Sequence, residues 1–296
     1  MELTKNSKIL IVGLGFIGGS YAMSLSQKGY HIGAISKNKK DIDYALENHL
    51  IESGTTRVSK KYINQFDIVI FCLYPKVFLD WITKYHHYLK DGAIVTDVCG
   101  VKKEVVYKAE KILLPRLNYV SSHPMAGKEV YGVRNADNSV FKNANFIITP
   151  TGRSNKEAAK VISNLACEIG FSKISCLSVR KHDEMIAFLS QLTHCIAVSL
   201  MTCKPSHKLK DYTGDSFRDL TRIANINEKM WSELFIMNKS FLVDEIDNFA
   251  NELIKLKESI LNEDIEQMQS MMKLSTYRRS FFNKKKWGIA YEYEFS

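Results

Sequence analysis

The sequence predicts an α/β protein: a doubly wound, mostly parallel sheet over residues 1–176, followed by an all-α domain over residues 177–296. Three observations predict it. From Ser7 to about Ser175, short runs rich in Ile and Val alternate with helical stretches. A glycine triplet closes the first of these runs. From about Leu177 onward the strand signal stops, and apolar residues recur at helical spacing.

Taken in order, "KILIVGL", "YHIGAIS", "DIVIFCLY", "AIVTDVCG", "LNYVSSHP" and "NFIITP" read as strands, each apolar or nearly so at its centre. Such runs fit strands covered on both faces, hence a mostly parallel sheet. In the second half, "HDEMIAFLSQLTHCIAVSLM" and the pattern from Trp231 to Met272 read as long helices. The apolar positions between Phe235 and Met272 exceed what one compact half covers, which predicts a homodimer formed through the C-terminal helices. No repeat or low-complexity linker separates the halves, so they are expected to pack closely.

The chain has 296 residues, 45% of them apolar, and a formal charge of +9. That composition suits about two folded domains. A basic leader is missing and no run of about 18 apolar residues occurs, so neither secretion nor membrane spanning is expected and the cytoplasm is the default. Cys72, Cys99, Cys167, Cys176, Cys195 and Cys203 show neither CxxC nor metal-ligand spacing and read as reduced thiols. The lysines are dispersed, which argues against a nucleic-acid module and suits an anionic small molecule. The densest basic run, Arg278 and Arg279 and then Lys284 to Lys286, reads as a solvated polar tail.

In "KILIVGLGFIGGSYAMSL", Gly13, Gly15 and Gly18 form G-x-G-x-x-G between a strand and a helix. Gly13 serves the tight turn, Gly15 the approach of a pyrophosphate and Gly18 the packing of helix on strand. Phe16 and Ile17 open the helix whose free N–H groups face the phosphates. This identifies a Rossmann-like half that binds NAD or NADP. At the end of the second strand, Ser36 and Lys37 stand where an acidic residue would hold the ribose 2′-hydroxyl of NAD, so NADP is favoured. Leu73, Tyr74 and Pro75 of "CLYP" end a strand at the same edge, and backbone contact with the cofactor is expected there.

Function must come from the site rather than from the fold. "SSHPMAGKEVYG" presents an imidazole, His123, on what reads as a stiff loop shaped by Pro124 and Gly127. With "RKHDEMIAFLSQLTH" and "FRDLTRIANINEKMWSELFIMNK", it resembles the prephenate and arogenate dehydrogenase family of tyrosine biosynthesis, in order and over nearly the whole chain. The resemblance implies oxidative decarboxylation of a cyclohexadienol. A hydroxyl proton leaves, a hydride passes from the same carbon to the nicotinamide, and loss of CO2 leaves an aromatic ring. His123 then falls on the catalytic base, a group poised near pH 7.

The resemblance further implies that Arg222 binds a substrate carboxylate with Arg218 assisting or capping a salt bridge, that His194 faces the substrate and that Trp231 walls the pocket. Asp183 is implied to fix geometry through hydrogen bonds; from the residues alone it reads as a helix cap. Two departures stand out. "DVCGVK" places Cys99 and Gly100 where the family often has glycine and a serine that bonds the catalytic histidine, leaving Cys99, water, Ser121 or Ser122 as substitutes. Gln191 stands where relatives often carry histidine.

The donors Arg222 and His194 suit the keto side chain of prephenate, while Asp215 or Glu129 near the same region would suit the ammonium of arogenate. Prephenate is favoured. Two other readings are hydroxyacid dehydrogenases of the same two-part layout and a non-catalytic NADP-binding redox-sensing module. No mutase extension is expected before Lys8 and no regulatory domain after about Leu274, so tyrosine feedback would act at the active site.

Overall fold

The computed structural model describes residues 2–205 and 207–282. Strands β1 (Lys8–Val12), β2 (His31–Ile35), β3 (Ser53–Thr55), β4 (Ile68–Phe71), β5 (Ile94–Asp97) and β6 (Asn118–Tyr119) form one six-stranded sheet in the order β3-β2-β1-β4-β5-β6. Every pairing in it is parallel. This is the strand order of a doubly wound dinucleotide-binding sheet. The crossovers carry α1 (Phe16–Ser26), α2 (Lys39–Glu47), α3 (Lys60–Ile63), α4 (Pro75–Tyr85) and α5 (Lys103–Ile112).

Alternation along the strands builds two cores. Ile9 and Ile11 of β1, with Ile68 and Ile70 of β4, face Tyr21, Ala22 and Leu25 of α1. Leu10 and Val12, with Val69 and Phe71, face Phe78 and Ile82 of α4 and Val105 and Val106 of α5. Strand side chains point alternately to opposite faces, so a run apolar at every position is what a sheet covered on both sides requires.

"LNYVSSHP" is not one strand. It breaks at Val120 into β6 and β7 (Ser121–Met125), and β7 leaves the parallel sheet for a second sheet of order β7-β8-β9. In that sheet β7 runs antiparallel to β8 (Asn145–Thr149), and β8 runs parallel to β9 (Lys173–Cys176). Between β8 and β9 lies α6 (Lys156–Ile169), which is capped by Asn155 and ended by the left-handed Gly170. The short β3 and the polar β9 carry too little apolar patterning to stand out in sequence.

From Val179 on, the described chain is helices and turns: α7 (Val179–Ile186), a π-helical turn over Ala187–Leu192, α8 (Thr193–Thr202), α9 (Asp215–Thr221), α10 (Glu228–Met237), α11 (Lys239–Leu261) and α12 (Ile265–Ser280). The pattern from Trp231 to Met272 is thus three helices, broken at Asn238 and at Asn262–Asp264. Arg278 and Arg279, expected in a polar tail, form the last turn of α12; Lys284 to Lys286 lie outside the described residues. The continuous helix Val179–Thr202 reaches the length and hydropathy of a membrane span, which the residue-by-residue reading did not register. Its His182, Asp183 and Gln191 are buried and hydrogen-bonded within the protein, while most of its apolar length is not buried in the single chain.

Candidate active site

The glycine motif opens the site. Gly13 has φ +103°, and a Cβ there would lie 2.5 Å from the Cys72 carbonyl oxygen. A Cβ on Gly18 would lie 1.9 Å from the Gly13 carbonyl oxygen, whereas one on Gly15 would meet nothing within 4 Å. Two glycines therefore let the chain fold tightly, and the third leaves open space at the N-terminus of α1. No side chain caps that terminus, so its N–H groups are left to a phosphate. The residues present fit a dinucleotide.

At the C-terminal end of β2, Ser36 is buried and Lys37 exposed. The Ser36 N–H donates to the Thr55 carbonyl, which ties this edge to the chain leading to Arg57. Of the neighbouring lysines, Lys39 is paired with Asp43 at 2.7 Å. In the β4–α4 turn, Leu73 packs against Gly13, and Pro75 occupies the first turn of α4. The Asn227 amide donates to the Tyr74 hydroxyl at 2.8 Å, and Glu233 accepts from the Lys76 N–H at 2.7 Å, binding this turn to α10 and its cap.

His123 lies at the same carboxyl edge, but on a strand and not on a loop: it belongs to β7 and pairs with Ile147 of β8. Pro124 is accommodated because β7 is an edge strand. A Cβ on Gly100 would stand 3.7 Å from His123 Nε2 and 3.7 Å from Leu234. On its other side, His123 Nδ1 lies 2.9 Å from His182 Nε2. His182 Nδ1 lies 2.8 Å from Asp183 Oδ1. Asp183 is buried and accepts from the N–H groups of Lys102 and Lys103 at 2.8 Å each, at the start of α5. Its carboxylate is therefore turned to His182 and the helix terminus.

Of the side chains expected to substitute for a serine at position 100, Cys99, Ser121 and Ser122 are all engaged elsewhere. Ser121 and Tyr119 donate to Asp97, Ser122 donates to the Asp97 carbonyl, and the Cys99 thiol faces the Leu73 carbonyl. The ring is held by His182, a residue the sequence reading passed over. Its only signal there was its place beside Asp183 in "RKHDEM", since a partner 59 positions away in the chain leaves no local trace.

Beneath the histidines, buried Lys102 donates to Asp97 at 2.8 Å and to the Ser122 carbonyl at 2.6 Å. Burial works against the Asp97 charge, but Lys102, Ser121 and Tyr119 outweigh it and hold the carboxyl below its ordinary value. Burial, then the neighbouring His182 and Lys102, push His123 well below the usual histidine value. His182 is lowered too, by burial first and by Lys102, against the pull of Asp183. Against the expectation of a base poised near pH 7, this environment favours the neutral imidazole of His123 over its charged form.

The helical half supplies the remaining groups. The Arg222 guanidinium donates to Glu129 at 2.6 Å, linking the turn after α9 to the segment after β7. Arg218 is taken up by Asp215 at 3.3 Å and by the Thr213 carbonyl on its own segment, the salt-bridge alternative. Trp231 stacks on His194 with ring centroids 3.7 Å apart. The His194 Nδ1–H donates to the Ser190 carbonyl at 2.8 Å, so in the neutral ring Nε2 is an acceptor. Burial pushes His194 down as well, which corrects the expectation of a ready donor. Gln191 donates to the Leu234 carbonyl and accepts from Asn238, which in turn donates to the Asp183 carbonyl. This clasp joins the π-helical turn to the α10–α11 junction.

Comparison with known proteins agrees with this architecture. Residues 21–174 match the prephenate dehydrogenase nucleotide-binding domain, and residues 178–274 match the prephenate dehydrogenase dimerization domain. The structure is similar to that of prephenate dehydrogenase from Aquifex aeolicus in complex with hydroxyphenyl propionate and NAD+. The two are 31% identical with a TM-score of 0.85, over 96% of this chain and 100% of that one. Bacillus subtilis prephenate dehydrogenase is 28% identical over 88% of this chain and 72% of its own length. Cyclohexadienyl dehydrogenase of Zymomonas mobilis is 28% identical over 94% and 96%. With a nucleotide-binding sheet that carries the glycine cradle, His123 at its carboxyl edge and a helical half matched to the family's second domain, the chain belongs to the prephenate dehydrogenase family of oxidoreductases.

Proposed function

We propose that the protein is a cytoplasmic, homodimeric prephenate dehydrogenase that oxidatively decarboxylates prephenate to 4-hydroxyphenylpyruvate and CO2, with NADP preferred to NAD. The observation that carries this is the position of His123. Its Nε2 faces Gly100 at the carboxyl edge of the sheet, reached from Gly13 through Leu73 and Cys99, with the His194–Trp231 stack and Arg222 contributed by the helical half. A bound nicotinamide dinucleotide supplies the hydride acceptor. Gly15 and the N–H groups of the helix opened by Phe16 and Ile17 would hold its pyrophosphate over the turn that Gly13 and Gly18 keep tight, Leu73, Tyr74 and Pro75 would flank it, and Ser36 and Lys37 would receive a 2′-phosphate.

His123 takes the substrate's hydroxyl proton, which frees the oxygen's electrons to form a carbonyl as the hydride departs. Loss of CO2 then leaves its electron pair to the ring, which becomes aromatic, and the phenolate oxygen so formed takes back the proton held by His123. Arg222 binds a substrate carboxylate in exchange for Glu129, with a planar fork that matches two oxygens. Trp231 and His194 wall the ring, and Asp183 acts on geometry.

A second reading, arogenate as substrate, is favoured by one observation: the bare His194 Nε2 beside Glu129 offers acceptors that an ammonium group would use. Absorbance at 340 nm with purified protein, running prephenate and arogenate against NAD and NADP in four separate assays, decides both choices. Fastest reduction with prephenate and NADP is expected. Turnover confined to arogenate replaces the substrate assignment, and turnover with neither, by folded protein that binds dinucleotide, leaves a binding module. His123→Asn is expected to abolish reduction with dinucleotide affinity nearly unchanged; persisting turnover removes the base assignment.

A further inference from the structure

The hydrogen-bond chain behind His123 has a direction. Asp183 accepts from Lys102 N–H on one oxygen and Lys103 N–H on the other, and the oxygen that meets Lys102 also meets His182 Nδ1. A carboxylate in this arrangement only accepts, so His182 Nδ1 carries the hydrogen. A neutral His182 then has a lone pair at Nε2, which must accept from His123 Nδ1 at 2.9 Å. With its hydrogen on Nδ1, His123 has a bare Nε2.

We propose that Asp183 and His182 form a positioning relay that fixes the His123 ring and its tautomer, leaving Nε2 as the proton-accepting atom and doing the work that a side chain at position 100 could otherwise do. The proposal rests on the reading of His123 as the base. His182 is fully buried and meets the half-buried His123 with ring centroids 5.1 Å apart, so packing holds the supporting ring and His123 is held against it. The charged groups around His182 are Asp183, Lys102 and Asp97, and their combined effect with burial keeps it neutral. Gly100 brings no side chain to Nε2, so no protein hydroxyl competes there with the substrate's. When Nε2 takes the substrate proton, the Nδ1–H still points at His182, and the new positive charge lies on a chain that ends at a carboxylate. His182 touches neither substrate nor cofactor in this scheme; it acts through His123.

Two measurements on the full-length protein test the relay. Nitrogen-15 spectra of the histidine rings at pH 8, with His123 assigned by comparison with His123→Asn, are expected to show Nδ1 protonated and Nε2 bare in the ligand-free wild type. In His182→Leu the two tautomers should mix. In kinetics, His182→Leu is expected to lower kcat by about 100-fold or more, the scale of a general base's contribution, with KM and dinucleotide affinity within about threefold. His182→Gln, whose amide can both donate to Asp183 and accept from His123, should recover about tenfold of that loss. A wild-type His123 protonated at Nε2 overturns the proposal, as does a folded His182→Leu enzyme with kcat within about threefold of wild type. If the leucine variant does not fold, the wild-type spectrum still decides. The spectrum needs no substrate, so inactivity toward prephenate would refute the functional reading and leave the relay to be judged separately.

Discussion

His123 is surrounded by groups that disfavour its protonation: apolar burial, a second imidazole and the Lys102 ammonium. Because kcat/KM reports the free enzyme, its acid limb is expected below the ordinary histidine value of about 6.5. A profile of kcat/KM against pH that begins to fall above that value would contradict the electrostatics described. The same groups link stability to pH. His123 and His182 have folded values below their unfolded ones, so the unfolded chain takes up protons first as the solution is acidified. Their contribution is complete above about pH 6.5 and is lost as the pH falls through the folded values, which a series of thermal melts would show as a declining Tm. At the other end of the site, Arg222→Gln removes a charged fork that is 64% exposed and is held in the free protein by Glu129 alone among the contacts described. The expected outcome is a KM for substrate raised about tenfold or more, with little change in Tm. An unchanged KM places the carboxylate elsewhere.

At the scale of elements, the β1–α1 turn is sterically closed. Gly18→Ala would drive a methyl to 1.9 Å from the Gly13 carbonyl oxygen, in a backbone that cannot retreat because Gly13 is itself wedged against Cys72. A loss of about 2 kcal/mol or more is expected, together with lost dinucleotide affinity, and titration of cofactor fluorescence alongside a urea melt reads both. The clasp at Asn238 is the equivalent constraint in the helical half. Asn238→Ala leaves the Gln191 and Asp183 oxygens short of a donor inside the protein and is expected to cost about 2 kcal/mol. A melt within experimental error of wild type would show that water replaces the amide. The π-helical turn that carries Gln191 is an element no hydropathy pattern announces, because it keeps the residue types of the α-helices on either side.

At the scale of the molecule, α11 and α12 leave large apolar side chains in solvent, among them Leu253, Ile260, Leu261, Ile265 and Met272. An apolar face on this scale is what a subunit interface covers, and it lies largely within the segment matched to the family's dimerization domain. Light scattering at micromolar concentration is expected to give twice the chain mass of 33.9 kDa, and a monomer would assign that face to another partner.

How much of this the sequence determined follows from how locally each signal is written. Strands β1, β2, β4 and β5 were legible because strands buried on both faces need uninterrupted Ile and Val, whereas β3 and the departure of β7 and β8 into a second sheet were not; the glycine cradle was legible because only glycine fits a left-handed turn and a methyl-free contact. Motif resemblance found His123, Arg222, His194 and Trp231. The tertiary structure alone decided that His123 stands on an edge strand, that His182 holds it, that His194 spends its Nδ1 hydrogen on Ser190 and that burial pushes His123 below the usual histidine value. Those facts depend on side chains distant in sequence meeting inside a low-dielectric interior, where the partner and the solvent excluded decide what a residue type can do.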